Sequence, residues 1–192
     1  MRLRTFVAVD LDDELIRSKI IDIQREISSS SAKIKLVEPE NLHITLKFLG
    51  EVEEARIPVI VKALEGALKG VSKFRVKLEG VGAFPRVSRP NVIWVGVSEG
   101  RDPLIRLANL VEDALKKVGF PKEKRPFEPH LTIARVKYRS SDLPGLITKV
   151  KGVEIGEIEV REVKLKKSTL TSKGPIYETL HSFPLTPEGE EA

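Results

Sequence analysis

The sequence predicts an α+β protein in which one mixed unit of about 90 residues occurs twice, the copies packing as two lobes of one body. Three observations predict it. Helix-period and strand-period segments follow one another in the same order in each half. An apolar–His–apolar–Thr–apolar motif occurs twice, in NLHITL at 41–46 and in EPHLTI at 128–133, where Pro129 takes the first apolar place. No low-complexity linker interrupts the chain, and the boundary between halves falls within 86–100. Residues 1–192 are therefore read as a single bilobal domain with approximate halves 1–90 and 91–192.

The elements follow in order. Residues 3–10 read as a strand. Residues 12–30 read as an amphipathic helix, because Ile16, Ile20, Ile23 and Ile27 recur at spacings of four, three and four. A short strand at 33–38 leads into Pro39. In 41–52, Leu42, Ile44, Leu46 and Phe48 alternate with polar positions, as a half-buried strand requires. Residues 54–69 return to a helix, with Pro58 tolerated near the first turn and Gly70 as a stop. FRVKLEGVGAFP is a strand bent near its glycines, and NVIWVGV is another. The second half then offers a helix over 102–118, with Asp102 as N-cap and Pro103 at the first position. It continues with a strand through EPHLTIARVKY, a short helix over 142–150 and two or three closing strands, and TPEGEEA is expected to fray.

Composition bounds the function. The 192 residues are 41% apolar and 32% charged, enough to bury a core. No apolar run approaches the ~18 residues that would span a bilayer, and MRLRTFVAVDL reads as a first strand and not a signal peptide, so a cytoplasmic protein is expected, and the lack of an obvious extra apolar patch favours a monomer. The absence of cysteine excludes disulfides, thiolate metal sites and Cys nucleophiles. A net charge of +5 favours an anionic partner such as RNA or phosphate.

Two of the chain's three histidines sit in the repeated motif, a coincidence expected by chance roughly one time in 200. On a strand, residues two apart share a face. His43 and Thr45 therefore look one way and Leu42, Ile44 and Leu46 the other; His130 and Thr132 repeat this over Leu131 and Ile133. A pseudo-twofold between lobes would bring both polar pairs to one cleft. Histidine titrates near neutrality, so one can take a proton from an attacking oxygen while the other gives one to a leaving oxygen across a phosphorus atom. A threonine beside each can donate to non-bridging phosphate oxygens, where transition-state charge gathers. A metal reading would need three or four ligands, and Glu128 is the one nearby carboxylate of matching parity.

His43-Ile44-Thr45-Leu46 and His130-Leu131-Thr132-Ile133 resemble the two signatures of the 2H phosphoesterase superfamily, within it the bacterial and archaeal RNA 2′,3′-cyclic phosphodiesterases, formerly called 2′-5′ RNA ligases. RTFVAVDL, GAFPRVSRPNVIWVGV, HLTIARV and GPIYETLHSFPL extend the resemblance over nearly the full chain. It implies two antiparallel sheets facing a central cleft, with helices outside. It implies hydrolysis of an RNA 2′,3′-cyclic phosphate to a 2′-phosphate without metal or cofactor, and weak 2′-5′ ligation in reverse. Carried over, His43 is the proton donor, His130 the proton acceptor, and Thr45, Thr132 and Arg135 hold phosphate. Arg135 lies five residues from His130, an odd offset, so a bulge or the strand's end has to re-aim it. Lys47 shares the parity of His43 and Thr45 and is a candidate contact to RNA phosphates.

Other residues carry weaker expectations. His181 lacks the motif and is read as structural. Tyr177, Phe84 and Trp94 could stack a base but read equally as core. The basic runs 122–125 and 164–167 could guide RNA or simply solvate a face. Two other functions compete: a phosphodiesterase of small cyclic nucleotides such as ADP-ribose 1″,2″-cyclic phosphate, and a non-catalytic RNA-binding module. Intact His43 and His130 argue against the module, since binding alone needs no acid–base pair.

Overall fold

The computed structural model describes residues 1–187; the expected fraying of the terminal segment falls mostly outside them. The described chain runs β1 (Arg2–Asp10), α1 (Glu14–Ser28), β2 (Lys33–Leu36), β3 (His43–Glu53), α2 (Ile57–Leu68), β4 (Phe74–Arg86), β5 (Arg89–Glu99), α3 (Arg101–Lys116), β6 (His130–Tyr138), α4 (Leu143–Lys149), β7 (Glu154–Val160), β8 (Glu162–Thr171) and β9 (Gly174–Pro184). The strands form two antiparallel sheets, ordered β3-β1-β8-β9 and β2-β6-β5-β4-β7. Helices α2 and α3 pack against strands of the four-stranded sheet, and α1 and α4 against those of the five-stranded sheet. The expected α+β class, with two sheets and outer helices, is what the chain adopts.

Each sheet draws strands from both halves of the sequence. β1 and β3 are joined by β8 and β9 from the far end of the chain, and β5, β6 and β7 are joined by β2 and β4. The halves 1–90 and 91–192 therefore do not each close a sheet of their own. The repeat is visible in the pairing: β3 lies beside β1 and β1 beside β8, as β6 lies beside β5 and β5 beside β4.

Local sequence accounts for the elements. Ile16, Ile20, Ile23 and Ile27 of α1 are buried, and the Asp13 carboxylate caps the helix by accepting from the Ile16 amide at 3.0 Å. The α3 start differs from expectation: its cap is Gly100, and Asp102 lies inside the first turn. Gly100 has φ 80, and a Cβ there would collide with the Arg75 carbonyl, so only glycine lets β5 turn directly into the helix. β3 begins at His43, two residues later than its alternation suggests, because Pro39–Asn41 form a single 3-10 turn. The bend expected in β4 is a break in the ladder between Leu78 and Val81, around Glu79 and Gly80.

Candidate active site

The two motif strands carry the same irregularity. In β3, Thr45 pairs with Ala8 and Lys47 with Val7, which leaves Leu46 as an extra residue. In β6, Thr132 pairs with Trp94 and Ala134 with Ile93, which leaves Ile133 as an extra residue. Each is a bulge one place after the threonine. Two successive residues then point into the core: Leu46 and Lys47 are buried in β3, and Ile133 and Ala134 in β6. The next residue returns to the histidine face. That residue is Arg135 in β6, which is exposed, and Phe48 in β3, which is 47% exposed. The bulge resolves the odd offset of Arg135, whose charge is felt at His43 and Tyr177 of the opposite sheet.

The histidines are held alike. His43 donates from Nδ1 to the Asn41 carbonyl at 2.6 Å, and His130 donates from Nδ1 to the Glu128 carbonyl at 2.7 Å. A carbonyl can only accept, so each ring keeps Nε2 as its working nitrogen. Nε2 of His43 lies 3.0 Å from Thr45 Oγ1. Each ring also meets an aromatic edge at an interplanar angle of 86°: Tyr177 at 5.4 Å from His43, and Phe84 at 5.0 Å from His130. Two of the aromatics suggested by sequence thus brace the histidines. Trp94 lies over Gly82, where an added Cβ would press into its ring.

A group the sequence reading passed over borders His43. Asp10 is its cross-strand partner, and its carboxylate accepts from Lys166 at 2.8 and 3.0 Å and from Lys164 at 3.1 Å. Burial alone would raise the Asp10 pKa; the two lysines outweigh it and hold it below the ordinary carboxylate value. The His43 pKa is lowered, chiefly by burial and further by the charges of Lys166 and Arg135, against the Asn41 hydrogen bond and Asp10. In the free protein His43 is thus neutral at pH 7. Lys164 and Lys166 alternate on β8, which pairs with β1, the strand that Asp10 ends.

Lys47 is the correction. It is 4% exposed, its ammonium bonded to Glu112 at 2.7 Å and to the Pro121 carbonyl at 2.9 Å. The bulge at Leu46 turns it inward, away from any RNA in the cleft. His181 lies on β9, 3.2 Å from Glu65 and apart from the motif strands. The basic runs are largely neutralised: Lys122 pairs with Asp113, Lys164 and Lys166 with Asp10, and Lys167 with Glu178. Among the described residues no three His, Asp or Glu side chains converge as a metal site would require.

Comparison with known proteins agrees with this arrangement. The family model described as LigT like Phosphoesterase matches twice, over residues 9–94 and 95–177. The chain is 47% identical over 181 residues to an RNA 2′,3′-cyclic phosphodiesterase of Archaeoglobus fulgidus, spanning 94% of this chain and 99% of that one. It superposes on the crystal structure of a Thermus thermophilus protein with a TM-score of 0.82 at 30% identity, covering 97% of this chain and 100% of the other. The structure of Escherichia coli LigT complexed with 3′-AMP gives a TM-score of 0.80 at 27% identity, over 97% of this chain and 99% of that one. With two motif strands, two matching bulges and two matches to one family model, the chain belongs to the LigT-like phosphoesterases of the 2H superfamily.

Proposed function

We propose that this protein hydrolyses 2′,3′-cyclic phosphate ends of RNA to 2′-phosphomonoesters by paired histidine acid–base catalysis. One observation carries the reading: two His–Thr pairs from opposite sheets, each histidine anchored through Nδ1 to a backbone carbonyl so that Nε2 is free to exchange a proton. The names of the relatives supply the substrate class.

In this scheme His130 Nε2 takes a proton from water as the water oxygen attacks phosphorus. The bond from phosphorus to O3′ breaks, and His43 Nε2 delivers a proton to O3′. Thr45 and Thr132 donate to the non-bridging oxygens, and Arg135 balances their charge. Because His43 is neutral in the free site, the bound phosphate has to charge it; an anion opposing Arg135 and Lys166 does so. Run backwards with an RNA 5′-hydroxyl in place of water, the same groups would form a 2′-5′ bond. The paired set lies within one chain, and we take the working form to be a cytoplasmic monomer.

The test is hydrolysis, in EDTA, of an oligoribonucleotide ending in a 2′,3′-cyclic phosphate. Conversion to a 2′-phosphate end, slowed about 10²-fold or more in His43→Ala and in His130→Ala, is expected. An inert wild type, or variants as fast as wild type, would overturn the reading.

A further inference from the structure

We propose that the cleft continues as a track for the RNA strand 5′ of the cyclic phosphate, over β6 and the tip of the β4–β5 hairpin, with Arg86 and Arg89 as phosphate contacts. This rests on the proposed function and adds a binding surface to it.

The first support is a charge segregation along the five-stranded sheet. Residues 80–98 and 129–141 contain Arg86, Arg89, Arg135, Lys137 and Arg139 and not one aspartate or glutamate. β4, β5 and β6 are neighbours, so these two acid-free stretches lie side by side. The opposite ends of the sheet are mixed and paired: Arg75 with Glu157 at 3.2 Å, Lys77 with Glu154 at 3.4 Å, Arg101 with Glu128 at 2.9 Å. On the other sheet Arg2, Lys164, Lys166 and Lys167 also have carboxylate partners, while Arg4 lies over the Phe48 ring. The two acid-free stretches, with their basic residues, therefore lie together at one end of one wall.

The second support is facing. Phe84 meets His130 at 5.0 Å, which puts it on the cleft side, and Arg86 lies just beyond it at the hairpin tip, past a shift in the β4–β5 register. Arg86 pairs directly with Arg89 across the hairpin, and opposed residues of an antiparallel pair share a face. Phe84, Val92 and Arg135 stand in one row across β4, β5 and β6. Arg135 follows the bulge onto the histidine face, and Lys137 shares its parity.

The third support is energetic. Like charges directly opposed in a ladder are unfavourable. Arg86 and Arg89 are exposed, opposed, and without a carboxylate partner among the described residues. Arg139 is spent on Asn91 at 2.5 Å, but among the described residues no ion pair offsets the repulsion at the tip. An anionic ligand would. Since the cyclic phosphate ends the 3′ terminus, the remaining phosphates extend 5′-ward, and single-stranded RNA supplies one charge per nucleotide to this stripe.

The test compares wild type, Arg86→Ala/Arg89→Ala and Arg86→Lys/Arg89→Lys on a 2′,3′-cyclic mononucleotide and on an oligoribonucleotide with the same 3′ nucleotide. Anisotropy of a labelled strand ending in a 2′-phosphate reads binding without turnover. The alanine pair is expected to lower kcat/KM and affinity for the oligonucleotide at least ~5-fold and to reduce the slope of log affinity against log salt by about 1 to 2. Mononucleotide hydrolysis stays within about twofold, and the lysine pair restores most of the loss. Equal losses on both substrates, or none on either, would overturn the track. A wild type that binds the strand with this salt dependence but leaves the cyclic end intact would sink the proposed activity while supporting the track.

Discussion

Asp10 faces His43 across the β1–β3 ladder while holding the buried ammonium of Lys166 at 2.8 and 3.0 Å. The wall beside the histidine thus carries a fixed positive charge that is already compensated. Asp10 raises the His43 pKa and Lys166 lowers it. Replacing Asp10 by Asn should drop the His43 pKa further and destabilise the fold by about 3 kcal/mol, because Lys166 is left buried and uncompensated. Imidazole NMR titration and urea denaturation would check the two effects. An unchanged His43 pKa would count against the coupling.

The stability of the protein should carry a signature of His43. Its folded-state pKa lies below the ordinary 6.5, so the folded state resists protonation and the unfolded chain binds the proton more readily. This contribution is fully present above pH 6.5 and is lost as pH falls toward and through the lowered folded value. Thermal melts of wild type and His43→Gln at several pH values read it. The Gln variant should lose less stability than wild type on acidification through that window.

The division of labour between the histidines can be read with a sulfur leaving group. If His43 protonates O3′, a substrate with sulfur in the 3′ bridging position needs little help there, since a thiolate leaves unprotonated. His43→Ala should regain most of its lost rate on that substrate, and His130→Ala should not. Rescue of His130→Ala instead would exchange the roles.

Lys47 should matter to folding and not to turnover. Its ion pair with Glu112 has side-chain exposures of 3% and 12%. Lys47→Met would leave Glu112 held by the Glu123 amide at 3.0 Å, a loss on the order of 3 kcal/mol in urea denaturation. The folded variant should keep kcat within about twofold on the cyclic oligonucleotide. A large loss of kcat with stability intact would return Lys47 to the site.

Much of this was legible in the chain because side-chain period is a local property. The isoleucines of α1, the alternation around His43 and His130, and the repeat itself could all be read directly. The odd offset of Arg135 asked for a bulge or a strand end in β6, but nothing marked the bulge in β3, since bulges depend on which strand lies alongside. They place Lys47 in the core and Phe48 outside, opposite to strict alternation, and they carry Arg135 to the cleft. Asp10 with Lys166 was invisible for the same reason, a pairing 156 residues apart in sequence. So was the exchange of strands between halves, because apolar alternation marks a buried face without naming the neighbour.

That exchange bears on how the protein can move. The chain passes from one sheet to the other between β1 and β2, between β2 and β3, between β3 and β4, and between β7 and β8. Two bodies joined by one tether can swing apart like a purse; bodies sewn together along several seams cannot. The placing of His43 on β3 and His130 on β6 is then a property of the scaffold, since the chain ties their two sheets together at each of these four crossings.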